Sequence, residues 1–281
     1  MLKGHLKAII ANVIWGSLPI YFYFIGKYPP LILLSVQMIS TFLVVLLFLL
    51  ISKRNVFSFL ELKLSIVPAC LLTINWGGYA VAVKAGYVIE ASFACLILPV
   101  LLLTVGHMLS SVAHRSSIIC ILLCLAIVAF ECYLKGVFPI IGFAIAAPFA
   151  AYILWHSKYN VEPVKALFYE TSLMLPIGII ILPSVNFALI SDWELNEVLY
   201  LSILGILTVL PLLLFVSSTK VVSFDILSIY QLLSPVLGIS IGIVLYNQSI
   251  EGHTFISYSS LIFVLISYNL YLFSTKAKNH V

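Results

Sequence analysis

Stretches of about 20 apolar residues, separated by short polar joints, recur along the whole 281-residue chain. A bilayer core about 30 Å thick takes about 20 helical residues to cross, and in lipid only helices or closed barrels satisfy their own backbone. Runs of that length lie near 8–26, 31–52, 64–83, 87–110, 117–134, 136–155, 165–183, 198–217, 225–246 and 254–274. They predict an all-α integral membrane protein with ten transmembrane helices, tightest at the Lys135-Gly136 joint. Composition argues against a soluble domain: 9% of residues are charged, where a soluble domain carries about 25%. The first run follows Lys3 and Lys7, is longer than a signal-peptide core and lacks a small-residue cleavage site after it, so it reads as the first span.

Cytoplasmic loops retain positive charge, and this sets the expected orientation. With the N-terminus inside, Lys3, Lys7, Lys53, Arg54, Lys63, Arg115, Lys158, Lys165, Lys220, Lys276 and Lys278 fall on the cytoplasmic side, against Lys27, Lys84 and Lys135 outside. An even number of spans puts both termini in the cytoplasm. The net charge of +4 is scattered singly, which leaves no footprint for nucleic acid. The five cysteines show no CxxC spacing, and Cys120 and Cys124, sharing a helix face, read as small buried residues, so no metal or disulfide framework is expected. Catalytic signatures such as HExxH or GxSxG are missing as well, so neither an enzyme nor a bound cofactor is expected.

The two halves of the chain resemble each other weakly. Lys84 and Pro99-Val100-Leu101 correspond to Lys220 and Pro235-Val236-Leu237 at an offset of 136 residues, and Glu90 and Asp225 correspond to within one residue. A five-span repeat crosses an odd number of times, so its second copy must enter the membrane upside down. The expected units are 1–135, spans one to five, and 136–281, spans six to ten, as two inverted five-helix repeats around a central cavity. Inverted repeats are the mark of alternating-access transporters, with the site near the midplane between them. Pro99 and Pro235 fall mid-span, where each either kinks a helix for packing or frees a carbonyl toward a cavity.

Polar residues inside spans are functional candidates when deep. Glu90, Glu170 and Asp225 read as first-turn carboxylates that suit the helix dipole, with Asp225 a candidate N-cap. The deep positions are uncharged: Gln37, Asn75, Trp76, Tyr79, Thr208, Tyr230, Gln231 and Ser234. Gln37 and Thr208 read as glue between helices, whereas Trp76, far from the interface that tryptophan favours, is expected to face a cavity. His107 is either a titrating group or a packing histidine. With no carboxylate at the midplane, the coupling ion is undetermined, and the substrate is expected to be neutral, zwitterionic or cationic, held by aromatic faces and amides.

These residues resemble the RarD branch of the EamA-type drug/metabolite transporter superfamily. Trp15-Gly16-Ser17-Leu18-Pro19-Ile20-Tyr21 with Pro29-Pro30 is similar to that family's opening. Further matches are Asn75-Trp76, Tyr79, Ala82-Val83, Glu90-Ala91-Ser92 and Pro99, then Glu170-Thr171 with Pro176, and Gly205, Thr208, Pro211-Leu212 and Phe215, followed by Gln231 and Pro235. The chain departs from the family pattern at Gln37, at Leu98 and at Asn247-Gln248. The resemblance implies a multi-pass protein of the bacterial inner membrane that transports small metabolites, more as exporter or exchanger than importer. The expected substrate site comprises Asn75, Trp76, Tyr79, Tyr230 and Gln231, with Trp15 and with Glu90 near the outer entrance. Its partners would be a small-molecule substrate and the bilayer; nothing in the sequence supports a homodimer. A passive channel and a non-transporting scaffold are the alternatives.

Overall fold

A computed structural model describes residues 2–25, 28–52, 58–109, 115–136, 138–159, 161–185 and 194–278, so Lys27, Lys53 and Arg54 lie outside the described residues. Among these residues every regular element is an α-helix. Its helices are α1 (Leu2–Phe24), α2 (Pro30–Ile51), α3 (Phe59–Leu64), α4 (Ile66–Lys84), α5 (Val88–Leu109) and α6 (Arg115–Lys135). There follow α7 (Ile140–Lys158), α8 (Pro163–Val185), α9 (Leu195–Thr219), α10 (Phe224–Tyr230), α11 (Leu233–Val244) and α12 (Gly252–Lys278). Nine of the described helices are long and apolar enough to cross a membrane.

The tenth expected run, 225–246, is not one regular helix. It divides into α10 and the 12-residue α11. Proline has no N–H, and its ring crowds the carbonyl four residues earlier. Counting back from Pro235 gives Gln231, and the ladder breaks at Gln231 and Leu232. Both keep right-handed helical dihedrals (φ −62°, ψ −21° and φ −68°, ψ −20°), so the chain continues in the same sense. The N-cap of α10 is Ser223, not Asp225, which is its second helical residue and whose side chain lies outside the described residues. A short helix that hydropathy did not anticipate, α3, is capped by Ser58, whose side chain accepts the Glu61 N–H.

The centre of the bundle is built by α1, α2, α4, α5, α7, α9 and α11, with α8 packed on α2 and α4, and with α6 and α12 paired alongside α5. Where helices cross most closely a glycine stands. A Cβ on Gly16 of α1 would lie 2.8 Å from Leu237 Cβ of α11, and one on Gly205 of α9 would lie 2.6 Å from the Ser40 backbone of α2. Small residues at crossings let backbones approach, which gives membrane helices the dispersion contacts that hold them together.

Polar side chains tie the two ends of the bundle. At one end Trp155 Nε1 donates to the Leu64 carbonyl (2.9 Å), Lys220 Nζ to the Val161 carbonyl (3.1 Å) and the Ser58 N–H to Tyr169 Oη (2.7 Å). This is the basic end, where Lys3, Lys7, Lys63, Lys158 and Lys165 also fall. At the opposite end Gln248 Nε2 donates to the Gly86 carbonyl, and Gln248 Oε1 accepts the Ile89 N–H (3.0 Å), capping the start of α5. The preceding Asn247 sits at φ +51°, a left-handed conformation that asparagine tolerates better than most residues. Also at that end, buried Glu131 of α6 accepts from Thr254 and Ser257 of α12, both at 2.7 Å.

Candidate functional site

Between the central helices lies a cavity of about 100 Å³. Space for a water centre takes about 10–15 Å³, so the cavity has room for several waters or part of a small organic molecule. The wall of α1 contributes Asn12, Trp15, Leu18 and Phe22, and that of α4 contributes Asn75, Trp76 and Tyr79. Cys95, Phe149, Thr208, Gln231 and Ser234 come from α5, α7, α9, the break between α10 and α11, and α11 itself.

Of the seven residues expected at the site, Trp15, Asn75, Trp76, Tyr79 and Gln231 line this one cavity. Two do not. Tyr230 precedes Gln231 on a tight turn, so their side chains diverge, and its hydroxyl meets His5 Nδ1 of α1 at 2.9 Å. Glu90, the third residue of α5, stays near the opposite end, outside the cavity wall. The side chain of His107 lies outside the described residues.

Aromatic faces make the apolar part of the wall. Trp15 meets Phe149 edge-on, with ring centroids 5.4 Å apart, and tilts over Phe215 at 5.3 Å. Trp76, 7% exposed, sits mid-helix in α4. The polar part is neutral throughout: amides, hydroxyls and a thiol, with no ionisable carboxylate, lysine or arginine among the lining residues. Asn12 Nδ2 donates to the Ala8 carbonyl and Asn75 Nδ2 to the Ile145 carbonyl, both at 2.8 Å, so each amide presents its Oδ1 as an acceptor. Gln37 Nε2 donates to Thr208 Oγ1 at 3.0 Å, so these two join α2 to α9 as glue while they also line the cavity.

Gln231 differs from the other amides. It is 2% exposed, and its Nε2 has no hydrogen-bond partner among the described residues. A buried donor left unpaired costs about 1–3 kcal/mol, and a site built to hold a ligand acceptor would repay that on binding. Prolines take helical donors from the backbone of the same walls. Pro19, Pro99 and Pro235 each deprive the carbonyl four residues back of its helical donor, and those residues are Trp15, Cys95 and Gln231, all three in the cavity wall.

Asn12, Cys95 and Phe149 were not expected at the site. Asn12 lies one turn before Trp15 and could have been found by that spacing; Cys95 lies four residues before Pro99. Phe149 carries no signal that sets it apart from other apolar positions. Glu170 corrects its first-turn reading, because α8 begins at Pro163 and makes Glu170 its eighth residue, about 10 Å along the axis. It is 0% exposed; His156 Nε2 stands 2.9 Å from its Oε1, and Tyr152 Oη donates to its Oε2 at 3.2 Å.

No family profile matches the chain. It is 29% identical to an uncharacterized transporter of Vibrio cholerae over 97% of this chain and 92% of that protein. With the protein RarD of Escherichia coli the identity is 27%, covering 88% of this chain and 86% of the relative. The uncharacterized transporter YojE of Bacillus subtilis is 24% identical over 92% of this chain and 91% of its own length. A solved crystal structure superposes with a TM-score of 0.65 at 17% identity, covering 95% of this chain and 97% of the other, a likeness of fold. Relatives that match nearly end to end, together with long apolar helices around a central cavity, support a multi-pass membrane transporter similar to the RarD-type proteins.

Proposed function

We propose that the chain is a secondary transporter of small zwitterionic or neutral amphipathic organic solutes, amino acids among them, working by alternating access as an exporter or exchanger. The observation that carries this reading is the neutral cavity, in which aromatic faces stand opposite amides and Gln231 holds an unpaired buried donor. Such a wall suits a ligand with an apolar body and a hydrogen-bond acceptor at one end.

In this reading α10 and α11 together make one kinked crossing, giving ten. Residues 1–135 and 136–281 are then inverted repeats, and the packing supports the exchange. As α1 meets α9 and α11, so α7 meets α4 and α5; as α2 meets α9, so α8 meets α4. The basic end faces the cytoplasm of a bacterium, with both chain termini there and the bundle in the inner membrane. Glu90 lies outside the cavity, near the outer entrance.

Purified protein screened against a metabolite library tests the substrate class. A ligand at 100 times its dissociation constant stabilises the folded state by about 2.7 kcal/mol, which shows as a raised melting temperature. Zwitterionic amphipathic solutes are expected to give the hits; stabilisation by dicarboxylates alone would contradict the proposed class.

A further inference from the structure

The neutral cavity leaves open what drives transport, and a second buried site lies beside it. Glu170 of α8, His156 of α7 and Tyr152 of α7 form one hydrogen-bonded group, 0%, 6% and 2% exposed. Among the described residues the Glu170 carboxylate has two side-chain partners, and neither is a lysine or arginine. An ionised carboxylate sealed from water without a fixed countercharge is costly, so the group's charge depends on whether it holds a proton.

The same group is mechanically joined to the cavity. Phe149, Tyr152 and His156 follow one another along one face of α7. Phe149 lines the cavity and stacks on Tyr152 with centroids 5.8 Å apart and planes 7° from parallel, and Tyr152 meets His156 at 4.4 Å. A ligand resting against Phe149 and Trp15 therefore bears on the ring whose hydroxyl holds Glu170.

We propose that the His156–Glu170 pair is the proton-binding site that couples a proton gradient to movement of the solute. This rests on the transporter reading above. With the imidazole neutral and the carboxylate ionised, the pair carries one negative charge, which favours a conformation that admits water. One proton taken from water on one side of the membrane and held by Glu170 makes the pair neutral overall, which permits closure. The same proton is returned to water on the other side; no other bond forms or breaks.

The helices packed around the pair leave few other titratable groups to compete. Helix α2 carries none. Helix α3 has Glu61 and Lys63, and α4 has Cys70, exposed, with Tyr79 and Lys84 toward the other end. Along α5 are Glu90, Cys95 and His107, and along α9 are Glu197 and Tyr200 toward the opposite end, followed by Lys220, which binds the Val161 carbonyl. On α7 and α8 themselves are Lys158, Lys165 and Tyr169, the last engaged with Ser58.

Infrared difference spectra of the full-length protein in lipid, recorded along an acid titration, read the protonated carboxyl directly, with the proton itself as probe. A buried carboxyl band that grows on acidification is expected, lost in Glu170→Gln and shifted in Tyr152→Phe, which keeps the ring and removes only the hydroxyl. A titration identical in wild type, Glu170→Gln and Tyr152→Phe would overturn the site. Proteoliposomes with labelled tryptophan as probe then separate coupling from transport. Glu170→Gln is expected to exchange tryptophan but to lose at least tenfold of the accumulation driven by a pH gradient. His156→Gln serves as the second variant if Glu170→Gln does not fold, with the same split expected. Accumulation equal to wild type in either variant would overturn the coupling role. Absence of tryptophan exchange in the wild type itself would count against the proposed substrate class, while the infrared titration would still decide the proton site.

Discussion

Gln231 is the residue at which fold and function pull apart. Among the described residues its buried amide nitrogen has no partner, and its own carbonyl has lost a helical donor to Pro235. Nothing about folding calls for a polar group there, since leucine would fill similar space and leave no donor stranded. Gln231→Leu is therefore expected to raise the stability of the ligand-free protein by about 1–3 kcal/mol while abolishing stabilisation by any solute. Thermal melting with and without ligand measures both parts; a variant less stable than wild type would mean that Gln231 has a partner in the folded state. The amide was legible in the sequence as a deep polar group in a span. Its neighbour Tyr230 was equally legible and points elsewhere, because consecutive residues on a helical turn differ by about 100° in direction.

Helices in this chain were readable where hydrophobic length decides them and unreadable where a single atom does. The nine long helices follow from apolar runs, with α3 and the break at Gln231 as the departures. A missing N–H at Pro235 breaks the ladder, yet the same chemistry at Pro99 leaves α5 continuous. Pro235→Ala would restore the donor to the Gln231 carbonyl. It is expected to stabilise the protein by up to about 3 kcal/mol and to slow exchange of solute by stiffening the kinked crossing. Faster exchange would show that the kink has no part in the motion. Crossing points test the packing in the same way: Gly205→Leu forces a side chain into the Ser40 backbone and should cost at least 1–3 kcal/mol in thermal unfolding, as overpacked cores do. The depth of Glu170 was misread because it depends on where α8 begins, and its partner His156 lies on another helix that no periodicity links to it.

For the whole molecule, the proposed inverted repeat has a geometric consequence. Lys84 and Lys220 close α4 and α9, and the proposed inversion would put them on opposite sides of the membrane. With the native cysteines removed, a membrane-impermeant maleimide added to intact cells should label Lys84→Cys and spare Lys220→Cys; labelling of both from outside would refute the inversion and the orientation together. The claim on which the rest depends is that solute passes through the aromatic and amide-lined cavity by exchange of access. Counterflow measures it most directly: proteoliposomes loaded with an unlabelled solute identified by thermal stabilisation are diluted into a trace of the labelled compound. Alternating access predicts a transient accumulation of label above its outside concentration, reduced at least tenfold by Trp76→Ala. Label that merely equilibrates, at the same rate in both proteins, would contradict it.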